Sequence, residues 1–313
     1  MLKKAIIVEA VFFTAAAILV LSSLGLLLFV GSRGLSVFSY INPLEFFFGT
    51  AWNQDTPVFG VLPLLYGSLA TALVTLILSA PLAILVAVFM VEVAPEPVRR
   101  VMRTTVELFA SLPSVIYGFL GLVVVVPWVR ETFHTGLGKG ILAAAIVLVF
   151  MTQPTMVAIT EDALRNLPAS LREAAWGLGA TRWQMIWGVL LPAARQGIIT
   201  AIILGMGRAV GETMAVQMVI GNITTAFPKN LFVGATTMPA AIVTQLPEAT
   251  SAEHKAALIM VAFLLLLITF LLIAVVRFAS GGASLRRPAR RKPPTPTTPE
   301  RPTTAPSVQG GQA

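Results

Sequence analysis

The chain has 313 residues, 56% hydrophobic and only 12% charged, against about a quarter charged in an ordinary soluble domain. With a mean hydropathy of +0.85 and several apolar runs near the roughly 20 residues a helix needs to cross a bilayer, the composition excludes a soluble protein. The runs are continuous rather than alternating segments of about ten residues, which excludes a membrane β-barrel.

The net charge of +8 and pI near 10.4 do not point to nucleic acid. Residues 280–313 hold Arg286, Arg287, Arg290, Arg291, Lys292 and Arg301 against one acid, Glu300, so this tail carries five of the eight charges. The absence of cysteine rules out a disulfide framework, a thiolate metal site and a cysteine nucleophile.

Six apolar segments follow in chain order, at about 6–30, 64–91, 106–127, 141–160, 197–220 and 257–277. The fold class is therefore all-α, a polytopic membrane protein with six transmembrane helices. The first segment follows Lys3 and Lys4 like a signal peptide, yet is about twice as long as the usual apolar core of one, so it reads as a retained anchor over 1–31. Residues 32–63 form an extracytoplasmic loop whose Phe46, Phe47, Phe48 and Trp52 suit either the membrane surface or packing against neighbouring helices. Residues 64–279 hold five spans. The Pro- and Thr-rich tail, 280–313, has almost nothing to bury and is expected to be disordered; its basic cluster either attracts anionic membrane lipid or fixes topology.

Alternate loops differ in charge. Lys3, Lys4, Arg99, Arg100, Arg103, Arg165, Arg172, Arg182, Arg195, Arg277 and the six tail residues give sixteen cations on one side, against Arg33, Arg130, Lys139, Lys229 and Lys255 on the other. The bias puts both termini in the cytoplasm. No phosphate-binding loop, H-E-x-x-H or G-x-S-x-G motif occurs. His134 and His254 fall in outer loops without partners, which argues against a histidine-based metal site or triad.

The longest inner loop, 161–196, carries two helix-start signals. Ser170-Leu-Arg-Glu173 and Thr181-Arg-Trp-Gln184 both match a capping box. Gly177 and Gly179 allow the positive φ that ends a first short helix, and Pro192 is expected to end a second. Ala174, Ala175, Trp176 and Leu178 around Glu173 make an apolar surface, to be covered either by the chain's own membrane domain or by a groove on another protein.

Arg208 and Glu212 sit inside the fifth apolar run, where charge is costly. At i,i+4 they are expected to share one helix face and pair, with Gly205, Gly207 and Gly211 allowing close backbone approach there. Two readings stay open: an ion pair that fixes helix contacts, or an anion site, since a guanidinium offers a fork of donors matched to phosphate-like oxygens. Pro113 and Pro154 free backbone carbonyls in the third and fourth runs. Ser111, Ser114, Tyr117, Thr152, Gln153 and Thr155 beside them either line a pathway or satisfy those carbonyls.

These motifs resemble a known family. Glu173-Ala174-Ala175, three residues, Gly179, nine residues and Val189-Leu190-Leu191-Pro192 resemble the EAA loop of binding-protein-dependent ABC importer permeases, Val189 replacing the usual Ile. Gly207-Arg208-Ala209-Val210-Gly211-Glu212-Thr213-Met214-Ala215-Val216, continuing to Met218-Val219-Ile220-Gly221-Asn222, is similar to the fifth-span signature of the PstC-type permeases of phosphate-specific importers. Ser111-Leu112-Pro113-Ser114-Val115-Ile116-Tyr117-Gly118 is similar to both permease types of that system, and the Met-Ala-Val run favours PstC over PstA. The similarity covers roughly residues 60–222.

The resemblance implies a MetI-like fold in the cytoplasmic (inner) membrane and a transport subunit rather than an enzyme. It implies no cofactor on this chain, with ATP and Mg on a partner. Implied partners are a second, PstA-type permease, a PstB-type ATPase dimer, a PstS-type extracytoplasmic phosphate-binding protein and inorganic phosphate. Glu173, Ala174, Ala175 and Gly179 would couple to the ATPase; Arg208, Glu212, Thr213, Ser114 and Gln153 would line the substrate pathway. Competing readings are a sulfate or molybdate permease and a channel-like or scaffolding protein that needs no ATPase.

Overall fold

In hydrocarbon every backbone group must bond within its own segment, so continuous apolar runs become helices. The computed structural model describes residues 2–53, 58–225 and 227–279; the expected disorder of the tail at 280–313 lies outside them. Among these residues six helical stretches are long and apolar enough to span: Glu9–Ser39, Leu62–Val93, Ser114–Thr132, Ile141–Arg165, Arg182–Gly211 and Ala252–Phe278.

The first span, α1 (Leu2–Gly34), is peripheral. Its apolar residues from Val11 to Phe29 are largely exposed. Its end meets the last helix, because a Cβ at Gly31 would lie 2.9 Å from the Phe263 ring and one at Gly34 3.0 Å from the Met260 Cα. A 3₁₀ turn, Leu35–Ser39, leads to α2 (Pro43–Phe48) and a two-stranded ribbon, β1 (Trp52–Asn53) and β2 (Val58–Phe59). Phe46 and Trp52 are fully buried against Leu64, Met238 and Leu258, while Phe48 is exposed. Packing therefore accounts for the loop aromatics, apart from Phe48.

The centre is built by α3 (Leu62–Val88), α7 (Ile141–Arg165) and α10 (Leu191–Gly211). Ser68, Thr71, Thr75 and Ser79, at helical spacing on α3, are all buried. Thr71 donates to the Gly67 carbonyl and Thr75 to that of Thr71, both at 2.7 Å. Ser68 Oγ accepts from the Met238 N–H and the Ser79 hydroxyl faces Met156 Sδ, so all four hydroxyls are partnered, and their small size lets α7, with Ala143, Ala144 and Ala145 buried, approach closely. Both α3 and α7 run through their internal prolines, Pro81 and Pro154.

The third span differs from expectation. Residues 106–111 belong to α4 (Glu96–Ser111), an amphipathic helix with no fully buried residue. The chain then turns extended at Leu112 and Pro113 before α5 (Ser114–Leu120), a π-helical turn (Gly121–Val125) and α6 (Val126–Thr132). Pro113 disfavours α geometry at the residue before it, and here, unlike at Pro81 and Pro154, the helix stops. Pro113 has no N–H to offer the Phe109 carbonyl four residues back; that carbonyl accepts instead from the Leu112 N–H at 3.4 Å and from the Tyr117 hydroxyl at 2.6 Å.

The inner loop also departs from two short helices. After α8 (Ala169–Gly177) comes α9 (Arg182–Met185), continuous through a π-helical turn (Ile186–Leu190) with α10. Pro192 does not end this helix. The Leu191 N–H reaches back five residues to Ile186, so the π turn takes up the register change that a residue without an N–H imposes. At its far end α10 stops at Gly211, Glu212 is extended, and α11 (Met214–Val219) begins afresh. The chain continues through α12 (Met238–Gln245) to the last span, α13 (Ala252–Ala279). His254 lies in the first turn of α13, not in an unpartnered loop: it is buried, 3.2 Å from the Gln245 Oε1 that also accepts from Trp52, and stacked on Phe59. It is a packing residue, and no cluster of metal ligands occurs among the described residues.

Candidate functional site

Two regions carry the polar residues that the apolar core does not explain. The first is the face around α8. Its end is fixed by Gly179 at φ +76°, with the Gly179 N–H donating to Trp176 and the Ala180 N–H to Ala175, the two bonds of a Schellman cap. Gly177 is the last helical residue, so only one of the two glycines serves as the turn. Ser170 lies inside the helix behind Pro168 and makes no capping bond, since proline already sets the helix entry. The Thr181 capping box is present: the Gln184 N–H donates to Thr181 Oγ1 at 3.3 Å, and the Thr181 N–H to Gln184 Oε1 at 2.8 Å.

Ala175 packs among Val88, Leu164, Met185 and Ile186. Glu173, Ala174, Trp176 and Leu178 stay exposed, Leu178 at 89%, and Trp183 and Trp187 add two more uncovered rings. Only one position of the apolar surface is thus used internally. Sequence reasoning missed the residues that brace this face. Arg172 reaches Glu92, at the end of the second span, at 2.7 and 3.0 Å, and also donates to the Leu164 carbonyl. Glu161, buried at the end of α7, pairs with Arg165 at 2.7 Å and Arg103 of α4 at 3.2 Å. The available signal was an acid at the end of each of two apolar runs.

The second region surrounds Arg208. The expected pair with Glu212 does not form, because the helix ends between them. Arg208 Nη1 instead donates to Thr155 Oγ1 on α7 at 3.1 Å, and a Glu212 oxygen accepts from the Ala215 N–H at the start of α11. Thr213 lies in the same break, its hydroxyl 3.4 Å from the Gly211 carbonyl. Gln153 points elsewhere, donating to the Ser79 carbonyl of α3. Ser114 is half-buried at the start of α5.

Of the expected pathway residues, the fold brings Arg208, Glu212 and Thr213 to one end of α10 and leaves Gln153 on another face of α7. Gly205 is the close-approach glycine, where a Cβ would meet Met156 Sδ at 2.5 Å, while Gly207 and Gly211 face open space. Arg208 borders a groove of about 690 Å³ between α10 and α13.

Residues 80–281 match the family of binding-protein-dependent transport system inner membrane components. The chain belongs to this family. The permease is 42% identical over 239 residues to a probable ABC transporter permease protein, YqgH, of Bacillus subtilis, covering 75% of this chain and 77% of that one. It is 37% identical over 273 residues to the phosphate transport system permease protein PstC of Mesorhizobium japonicum, covering 80% and 82%.

A bacterial ABC transporter for import of the polysaccharide alginate shares its fold, with TM-score 0.59 at 15% identity over 86% of the permease and 95% of that chain. The inward-facing MetNI methionine transporter does so at TM-score 0.51 and 23% identity, over 70% and 94%. The permease is a multi-pass inner-membrane subunit of an ABC importer with a MetI-like fold, and its homologues are transport components rather than catalysts.

Proposed function

We propose that this permease moves inorganic phosphate into the cytoplasm, driven by ATP hydrolysis on a separate ATPase dimer. Both termini and the α8 face lie in the cytoplasm, the orientation that the sixteen-to-five cation bias favours. A second, PstA-type permease shares the pathway and a PstS-type binding protein delivers the anion from outside.

The observation that carries the reading is Arg208: a guanidinium inside a membrane span, held by a neutral hydroxyl instead of a carboxylate. A cation paired with Glu212 would be neutralised in place. One oriented by Thr155 keeps its charge for a ligand and has donors left for tetrahedral oxyanion oxygens. Similarity to relatives named as phosphate permeases supports phosphate as that ligand. The uncovered Trp176 and Leu178 beside Glu173 support docking of α8 in a cleft of the ATPase.

The test is ATP hydrolysis and anion uptake by the assembled complex in vesicles, with phosphate, sulfate and molybdate supplied in turn. Phosphate should stimulate both. Stimulation by sulfate or molybdate alone would make this a permease for another oxyanion. Assembly without any ATPase would end the importer reading.

A further inference from the structure

A narrow groove of about 170 Å³ runs between the second and fifth spans. Leu85, Phe89 and Val93 form one wall; Trp183, Trp187 and Leu191 form the other. Each wall is a ladder of every fourth residue, and each crosses a π-helical turn, Phe89–Val93 on one side and Ile186–Leu190 on the other. Four α-helical residues turn past a full circle while four π-helical residues fall short of one, so a ladder that crosses both stays in line. Both indoles and the first wall are exposed.

Val93 closes the second span, and Trp183 stands at the start of the fifth. The groove therefore opens at one face of the membrane and runs inward. Eight residues separate Val93 from Leu85, and eight separate Trp183 from Leu191, about 12 Å of helix in each wall. A protein docked from outside the membrane cannot follow the groove to that depth, but hydrocarbon can. At the mouth, a tryptophan offers an apolar ring and one N–H donor, which suits the headgroup boundary.

Three arginines stand near that mouth. Arg172 is held by Glu92 and Arg99 by Glu96, and Arg99 also donates to the Met90 and Ala94 carbonyls at the end of the first wall. Arg182, next to Trp183, is exposed and forms no ion pair among the described residues, Glu173 of α8 included. One guanidinium beside the groove is thus left without a carboxylate, and a guanidinium matches phosphate oxygens.

We propose that this groove binds an anionic phospholipid, with an acyl chain along the two ladders and the headgroup phosphate on Arg182. The lipid bridges the end of the second span and the start of the fifth, beside α8. The site stands apart from the question of which anion the permease carries.

The test is photolabelling of the assembled complex in phosphatidylcholine nanodiscs. Trace phosphatidylglycerol or phosphatidylcholine, each with a diazirine part-way down one acyl chain, is added, and the labelled peptides are mapped by mass spectrometry. The exposed face of α1 from Val11 to Phe29 serves as the reference for general lipid contact. Peptides holding 85–93 and 183–191 should be labelled several-fold more by phosphatidylglycerol than by phosphatidylcholine, with α1 labelled equally by both. Arg182→Gln should bring the groove down to the phosphatidylcholine level and leave α1 unchanged; Arg182→Lys should keep the preference.

The comparison of headgroups in the unsubstituted complex needs no variant to fold. Equal labelling of the groove by both lipids overturns the site, since bulk lipid then fills it. An unlabelled groove beside a labelled α1 also overturns it, since another subunit then covers the two ladders. A preference indifferent to Arg182→Gln removes Arg182 as the headgroup partner and with it the proposal.

Discussion

Arg172→Met should loosen α8 from the membrane domain without preventing insertion. Arg172 is 19% and Glu92 8% exposed, and two guanidinium nitrogens reach one carboxylate oxygen. Methionine keeps most of the stem's packing but leaves Glu92 without its cation; removing one member of a fully buried pair costs about 3–5 kcal/mol, and this part-buried pair falls at or below the low end of that range. Taking about 3 kcal/mol, at 1.4 kcal/mol per factor of ten, the equilibrium for local opening of α8 rises by a little over a hundredfold. Amide hydrogen exchange across 169–178 reads that ratio directly, and ATPase recovered with the purified permease reads its consequence for coupling. Arg172→Met/Glu92→Gln removes both charges and should return exchange most of the way to the unsubstituted rate. If exchange is unchanged in the single variant, Arg172 and Glu92 do not hold α8; a double variant as loose as the single would refute the unpaired-Glu92 penalty as the source of the cost.

The other predictions need simpler assays. Gly179→Asp forces a side chain onto φ +76°, where a Cβ meets nothing of this chain, so the cost is backbone strain of about 1 kcal/mol together with crowding of the docking face. The variant should insert normally but recover little ATPase, and normal recovery with normal uptake would return the loop to a packing role. Because Arg208 and Glu212 form no pair, Arg208→Ala/Glu212→Ala should take up phosphate no better than Arg208→Ala, normalised to assembled complex; recovery in the double variant would show a pair that forms elsewhere in the cycle. Gly67→Ala should cut the yield of folded permease, since a Cβ there runs into the Thr236 backbone carbonyl; wild-type yield would show that α12 and α3 separate easily. Reporter fusions within 92–105, within 161–196 and after Arg277 should all report cytoplasm, and an outside signal from 161–196 would invert the topology.

Span number was legible because twenty apolar residues have few fates besides a membrane helix. Where spans stop was less so. The run at 106–127 reads as one segment because Phe109, Ala110 and Leu112 are apolar, yet the helix ends before Pro113, which removes an N–H and disfavours α geometry at Leu112. Pro192 misled in the opposite direction, since a π turn just before it lets the helix continue. The same limit decided the site. Spacing alone put Arg208 and Glu212 on one face, but spacing predicts a pair only while the helix lasts, and it ends at Gly211. Thr155, fifty-three residues away in sequence, became its partner through helix packing that no local pattern encodes. The Gly179 turn and the Thr181 cap were legible because both are purely local.

The helix that starts beside α8 is the same helix that carries Arg208. From Arg182 to Gly211 it has 30 residues, about 45 Å of length, with no loop to absorb movement. Pivoted near its middle, a tilt of about 5° displaces each end by roughly 2 Å on this geometry. A hydrogen bond holds over only about 0.5 Å, so such a tilt moves Arg208 against Thr155, now 3.1 Å apart, by several times that range. The fifth span is therefore a lever: a tilt that moves its Arg182 end by roughly 2 Å moves its Arg208 end by a similar amount, more than the range over which a hydrogen bond holds.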